Sequence, residues 1–188
     1  MANESKKREE TGLKEYGIIY LTGDVDNGSA ENVSREIIEH NIKADVGQIQ
    51  LIINSHGGSC AAGFSIIDIM EWSRIPVYTT GIGMIASMGL LIFMAGEPGR
   101  RVITSRTSVL SHRFFSMSVG SHSELIARRK EEDMMHERVI QHYLAYSKVK
   151  DRAGLENYLL RDVDTWLTPE ETVEYGLADI VEPARKRS

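Results

Sequence analysis

A serine set among glycines is the first place to look for chemistry in this chain. Ser87 lies within Gly81-Ile-Gly-Met-Ile-Ala-Ser-Met-Gly89, after the β-rich stretch Ile75–Thr80 and before the apolar run Leu90–Ala95. A strand-to-helix turn exposes a serine Oγ, and a helix start offers amides without intrahelical partners to a developing oxyanion. That arrangement suits acyl transfer. It equally suits close packing of small residues before a buried helix. The segment is not G-x-S-x-G, because Ile85 stands where the first glycine would be.

A serine nucleophile needs a base, a group that orients the base, and an oxyanion hole. Of the six histidines, His112 is best placed. It ends the apolar Val109-Leu110 stretch, where a side chain can point from a sheet edge into a cleft; a half-buried structural histidine fits there too. His40 falls in a helix with no site opposite. His122, His136 and His142 lie on or near a long charged helix and are expected to be solvated. His56 sits in the glycine turn Asn54-Ser-His-Gly-Gly58. Asp162 and Asp164 share a face if their segment is extended, and both also suit the dipole of the helix that follows. Gly57-Gly58 comes after an apolar strand. Glycines there let backbone amides face a ligand, although a plain tight turn requires them as well.

Metal and cofactor readings fare worse. His136 and His142 are six apart, so they do not share a helix face as zinc-binding histidines four apart do. No Walker A motif and no G-x-G-x-x-G fingerprint is present. Cys60 is the only cysteine, cannot form an internal disulfide, and reads as a small packing residue in a reducing compartment.

The elements that must position these residues alternate. Strands are expected at 17–23, 48–53, from Pro76, at 101–104, 108–111 and 178–182. Ser29 is expected to cap a helix bearing Val33, Ile37 and Ile38. A second helix carries Ala62, Phe64, Ile66, Ile67 and Met70. A long one spans 121–146, with Leu125, Ile126, Met134, Met135, Val139, Ile140, Tyr143 and Leu144 as its apolar positions. Thr168-Pro-Glu-Glu171 is a capping box with proline at N1, and Gly176 is its C′ residue. Strand–helix alternation predicts an α/β fold with mainly parallel strands.

The 188 residues, 41% hydrophobic and 26% charged, suit one domain over 17–183. A charged tail (1–16) precedes it and a basic tail (184–188) follows. A net charge of -5 gives no reason to expect a nucleic-acid partner. No apolar run reaches the roughly 18–20 residues that span a bilayer. The first ten residues lack the apolar core of a secretory signal, so a cytoplasmic location is expected.

Taken together, these pieces resemble the proteolytic subunit of the Clp protease (ClpP) family. The resemblance rests on Leu51-Ile-Ile-Asn-Ser-His-Gly-Gly58, Ala86-Ser-Met-Gly89, Val109-Leu-Ser-His112, Asp162-Val-Asp-Thr-Trp-Leu167 and Thr168-Pro-Glu-Glu-Thr-Val-Glu-Tyr-Gly-Leu177. It runs from near Ile18 to Asp179. It implies a crotonase-like spiral of β-β-α units with a protruding helical handle. It also implies a serine endopeptidase with Ser87 as nucleophile, His112 as general base and Asp164 as the acid that orients the base. The backbone amides of Gly58 and Met88 match the oxyanion hole. The resemblance further implies stacked heptameric rings enclosing the sites, unfolded protein substrates, and a separate Clp-family AAA+ ATPase. That partner would spend the ATP, with no cofactor and no metal in this chain.

This sequence departs from the family pattern at His56, where proline is usual, and at Met84-Ile85, where a glutamine is missing. It departs again at Arg113-Phe-Phe-Ser-Met117, where the family usually has Gln-Pro and then glycines, and before Gly17, where the segment is short and charged. Two other uses of such a scaffold remain open. One is a non-catalytic ring subunit of a mixed complex. The other is an acyl-CoA enzyme, although no acid lies close in sequence to Ser87 or Gly58 to serve as its glutamate.

Overall fold

The computed structural model describes residues 12–185. The strands are β1 (Ile18–Val25), β2 (Ile49–Gly58), β3 (Val77–Ala86), β4 (Arg101–Thr104), β5 (Ser108–Ser111), β6 (Thr165–Leu167) and β7 (Ile180–Glu182). The helices are α1 (Asn27–Lys43), α2 (Cys60–Trp72), α3 (Met88–Met94), α4 (His122–Tyr146), α5 (Arg152–Tyr158) and α6 (Pro169–Glu174). The main sheet runs β1-β2-β3-β4-β7. β5 pairs with both β3 and β6, and only the β5–β6 pairing is antiparallel. The expected α/β class with mainly parallel strands is therefore the architecture found. Of the two tails, 1–11 and 186–188 lie outside the described residues.

Local chemistry explains most boundaries. The α6 capping box forms as expected: the Glu171 amide donates to Thr168 Oγ1, and the Thr168 amide donates to the Glu171 carboxylate. The start of α1 differs from expectation. Asp26, not Ser29, is the N-cap, and Ser29 is the N3 partner whose amide donates to Asp26 Oδ1 at 2.8 Å. Both residue types cap well, so the sequence supports either assignment. β2 and β3 extend beyond the expected strands and carry the chain to Gly58 and Ala86. α5 and the three-residue β6 were not anticipated.

α3 anchors the core. All seven of its residues are buried, as befits a helix apolar on every face. It lies under β2 and β3, with Phe93, Ile92 and Met94 wholly enclosed. Arg101 closes the other side. It forms a two-pronged ion pair with Asp179 (2.7 and 3.0 Å) and donates to the Tyr146 carbonyl at 2.9 Å. Burial pushes the Asp179 carboxyl up, but hydrogen bonds and charge from Arg101 outweigh it and hold it below the usual range.

α4 corrects two expectations. Leu125, Ile126 and Met134 are exposed, and burial on this helix begins only at Met135. The first half of α4 therefore stands away from the body. His142 is buried, not solvated. Its Nε2–H donates to the Leu91 carbonyl at 2.8 Å, and its ring lies against Tyr146 and Phe64. Burial pulls its pKa down to about 4, against the opposing Leu91 hydrogen bond.

The sign of that shift sets a pH dependence. A histidine held neutral contributes stability above its unfolded pKa of about 6.5, and the contribution is lost as pH falls from there toward about 4. The full loss is on the order of 3 kcal/mol. Thermal unfolding of the native protein should show a falling midpoint across that window, and His142→Gln should flatten the fall. An unchanged slope in the variant would contradict the assignment.

Candidate active site

β3 delivers Ser87 in an unusual backbone conformation, φ 54° and ψ −125°. Only Ala44 shares a positive φ among the described non-glycine residues. Such a conformation costs about 1–3 kcal/mol and persists only where surrounding structure enforces it. Two features enforce it here. The Ser87 amide donates to the Leu110 carbonyl at 3.0 Å, continuing the β3–β5 ladder by one residue. The buried α3 begins immediately after, with the Leu90 and Leu91 amides donating to the Ser87 carbonyl. Ser87 is the N-cap of α3, yet its side chain makes no capping hydrogen bond. An N-cap serine ordinarily spends its hydroxyl on a first-turn amide; this one keeps its hydroxyl available and half-exposed.

The glycine turn at the end of β2 sits directly against this serine. A Cβ on Gly57 would lie 2.7 Å from Ser87 Cβ and 2.9 Å from the Met88 nitrogen. Gly57 has φ 98°, and a Cβ on Gly58 would strike the Val25 carbonyl oxygen at 2.4 Å. Both positions thus exclude a side chain. The turn is pinned from below by Ser55, which is buried: its hydroxyl donates to the Gly23 carbonyl at 2.6 Å and accepts from the Gly57 amide at 3.1 Å. The Met88 amide belongs to the first turn of α3, where no intrahelical acceptor exists. Gly57-Gly58, Ser87 and Met88 therefore converge at one end of the sheet. His56, also in this turn, pairs with Asp24 at 2.5 Å on the exposed rim.

His112 and Asp164 arrive by strand register. The antiparallel β5–β6 ladder ends at Ser111 opposite Thr165, so one further step places His112 opposite Asp164. Both line a cleft of about 470 Å³ with Arg113, Phe114 and Val163. Among the described residues, no hydrogen bond joins Ser87, His112 and Asp164 to one another. The His112 ring instead bonds the Arg113 carbonyl, Nδ1 to O 2.6 Å. Asp164 is exposed, and among the described residues its side chain has no hydrogen-bond or ion-pair partner. The chain bends at 162–163 rather than running extended. Asp162 meets Arg113 at 2.6 Å. Arg113 thus takes a part that its sequence position did not signal.

A second cleft, of about 410 Å³, opens beside Gly58. It is lined by Cys60, Phe114, Phe115, Met117 and Met135, with Arg128 and Glu132 at its edge. Its wall, 112–119, is not in a strand. The Ser116 and Ser118 hydroxyls donate to Glu132 and tie that wall to α4. Burial pushes the Cys60 thiol up, away from thiolate reactivity. Among the described residues, no cluster of three metal-binding side chains occurs, and no helix is long and apolar enough to cross a membrane.

Comparison with known proteins gives this geometry a context. The Clp protease family model matches residues 3–185. The ATP-dependent Clp protease proteolytic subunit 1 of Protochlamydia amoebophila is 32% identical over 165 residues, covering 87% of this chain and 79% of that protein. The subunit of the same name from Leifsonia xyli is 32% identical over 163 residues, covering 86% and 81%. The ATP-dependent Clp protease proteolytic subunit of Deinococcus radiodurans is 28% identical over 166 residues, covering 87% and 79%.

The close approach of Gly57 to Ser87 is testable by stability alone. Gly57→Ala should cost about 2–4 kcal/mol in denaturant unfolding, from both φ and overlap. Gly99 also has positive φ, but nothing lies within 4 Å of an added Cβ. Gly99→Ala should therefore cost only about 1 kcal/mol. Equal costs would show that the turn does not press on Ser87.

Proposed function

The chain belongs to the Clp protease family, is a serine-type peptidase and has the crotonase-like fold of that family, and from that premise we propose how its residues cleave a peptide bond. Ser87 is the nucleophile, His112 the general base and Asp164 the acid of the triad. The observation that carries the reading is the Ser87 turn: a strained, uncapped serine hydroxyl between a glycine turn and a helix start.

In acylation, Ser87 Oγ attacks the scissile carbonyl while His112 Nε2 takes the hydroxyl proton. The carbonyl electrons move to oxygen, and the amides of Gly58 and Met88 receive that oxyanion. His112 then gives its proton to the leaving amine as the C–N bond breaks. Water repeats the sequence on the acyl-enzyme and releases Ser87. The cleft beside Gly58 takes a substrate side chain, with Phe114 and Met117 favouring an apolar one.

The chain works in stacked heptameric rings, on unfolded polypeptides, in the cytoplasm. A Clp-type AAA+ ATPase feeds the chamber and spends the ATP, and this chain uses no cofactor. The bare first half of α4 and the exposed Phe115, Met117 and Val119 support assembly, because they leave apolar surface that a further copy can cover.

Ser87→Ala should lower peptide hydrolysis by about 10⁴-fold or more, and His112→Ala by a similar factor, because triad members act as a unit. Thermal midpoints should stay near native, since neither side chain supports the core. Full activity in Ser87→Ala would overturn the reading.

A further inference from the structure

We propose that Ser55 is a positioning residue for the oxyanion hole: its buried hydroxyl sets the Gly58 amide against the Met88 amide. The inference rests on reading Ser87 as the nucleophile and those two amides as the hole.

Strand register creates the need for such a residue. Thr22 pairs with Asn54, but the next pairing is Asp24 with Gly57, so β2 holds one residue more than β1 there. On the other side Ile53 pairs with Gly81, and the next pairing is Ser55 with Ile85, so β3 holds two residues more than β2. Both ladders are interrupted around 54–55, immediately before the glycine turn, and such interruptions bend a strand. The pairing with β1 resumes only within the turn, at Gly57 and Gly58. Side chains fasten what the ladders leave loose. Asn54 Oδ1 accepts from the Met84 amide at 3.1 Å and ties down the excess in β3. Ser55 fastens the turn itself.

Ser55 is 1% exposed, and its hydroxyl is used in both directions. It donates to the Gly23 carbonyl at 2.6 Å and accepts from the Gly57 amide at 3.1 Å. A hydroxyl has a single proton, so the two bonds fix its direction. The Gly57 amide is thereby committed to Ser55, and the turn is left with the Gly58 amide to present. Ser55 also touches the other half of the hole. A Cβ on Gly89 would lie 2.9 Å from the Ser55 carbonyl oxygen and 3.1 Å from Ser55 Cβ. The first turn of α3, which carries the Met88 amide, therefore rests on the same residue. Without the hydroxyl the buried Gly57 amide loses its partner. The turn must then rotate to satisfy it, and the Gly58 amide moves with it.

The test compares Ser55→Ala with the native full-length protein in its assembled form. It reads kcat and KM for a fluorogenic peptide, affinity for a peptide aldehyde, and affinity for the matching peptide alcohol. The aldehyde carbon bonds to Ser87 Oγ as its C=O π bond opens onto oxygen, and the serine proton passes to His112. That oxygen then occupies the hole, whereas the alcohol forms no bond and fills the cleft only. Deleting an oxyanion donor outright costs about 10²–10³-fold in kcat, so misplacing one should cost about 10–10²-fold. Aldehyde affinity should fall by about the same factor, while KM and alcohol affinity stay within about twofold. Native kcat in Ser55→Ala, or a kcat loss that leaves aldehyde affinity unchanged, would overturn the inference. If Ser55→Ala does not assemble, Ser55→Cys carries the test, because a thiol bonds more weakly at both contacts. Parallel loss of kcat and aldehyde affinity in that variant supports the inference, and native values overturn it. Failure of the underlying reading would look different: hydrolysis and aldehyde binding would persist in Ser87→Ala.

Discussion

The structure depends on one backbone constraint, the positive-φ turn at Ser87. A serine would not take φ 54° freely. The cost is offset because the chain on both sides is fixed by burial. β3 is locked between β2, β4 and β5, and α3 is enclosed on every face. The turn cannot relax without pulling α3 out of the core or breaking the ladder. Burying residues such as Leu90, Ile92 and Phe93 contributes roughly 1.5–3 kcal/mol each, which exceeds the strain. The hydroxyl is thereby held at the sheet's edge without serving as a cap, and the glycine turn is forced into contact with it.

The remaining site groups follow from strand ends. Ser87 comes one residue after β3, His112 one after β5, and Asp164 one before β6. β5 is the shared neighbour, so a slip of one residue in either pairing would move a site residue to the opposite face. β5 is only four residues long, and its register needs outside support. Ser111 supplies it: buried, it donates to the Leu159 carbonyl at 2.7 Å and meets the Tyr143 hydroxyl at 2.7 Å. Both partners are wholly buried, and burial pushes the Tyr143 phenol up to about 12 despite that hydrogen bond. The base thus stands at the end of a strand fastened to α4 and to the end of α5.

What was legible in the sequence was local. The Thr168 capping box, the glycine turn and the strand–serine–helix order all depend on neighbours within a few residues. The non-local features were hidden. His142 sits on a charged helix, and its burial depends on Leu91 and Phe64, far away in sequence. β6 exists only because β5 pairs with it. Asp26 and Ser29 both suit an N-cap, and only the backbone angles at Asp26 decide between them. At the site, the serine and its glycines were readable from spacing. The association of His112 and Asp164 with that serine came from family resemblance, because 25 and 77 residues separate them from Ser87. Arg113 gave no signal: an exposed arginine after a strand looks like any other until Leu160 and Asp162 are seen opposite it.

The central claim is that Ser87 carries an activated hydroxyl. It is tested most directly by treating the assembled protein with a fluorophosphonate and locating the adduct by tandem mass spectrometry. The account predicts a single adduct per chain, on Ser87, formed in step with loss of peptide hydrolysis. Inactivation accompanied by an adduct elsewhere, or hydrolysis that continues with Ser87 fully modified, would contradict it.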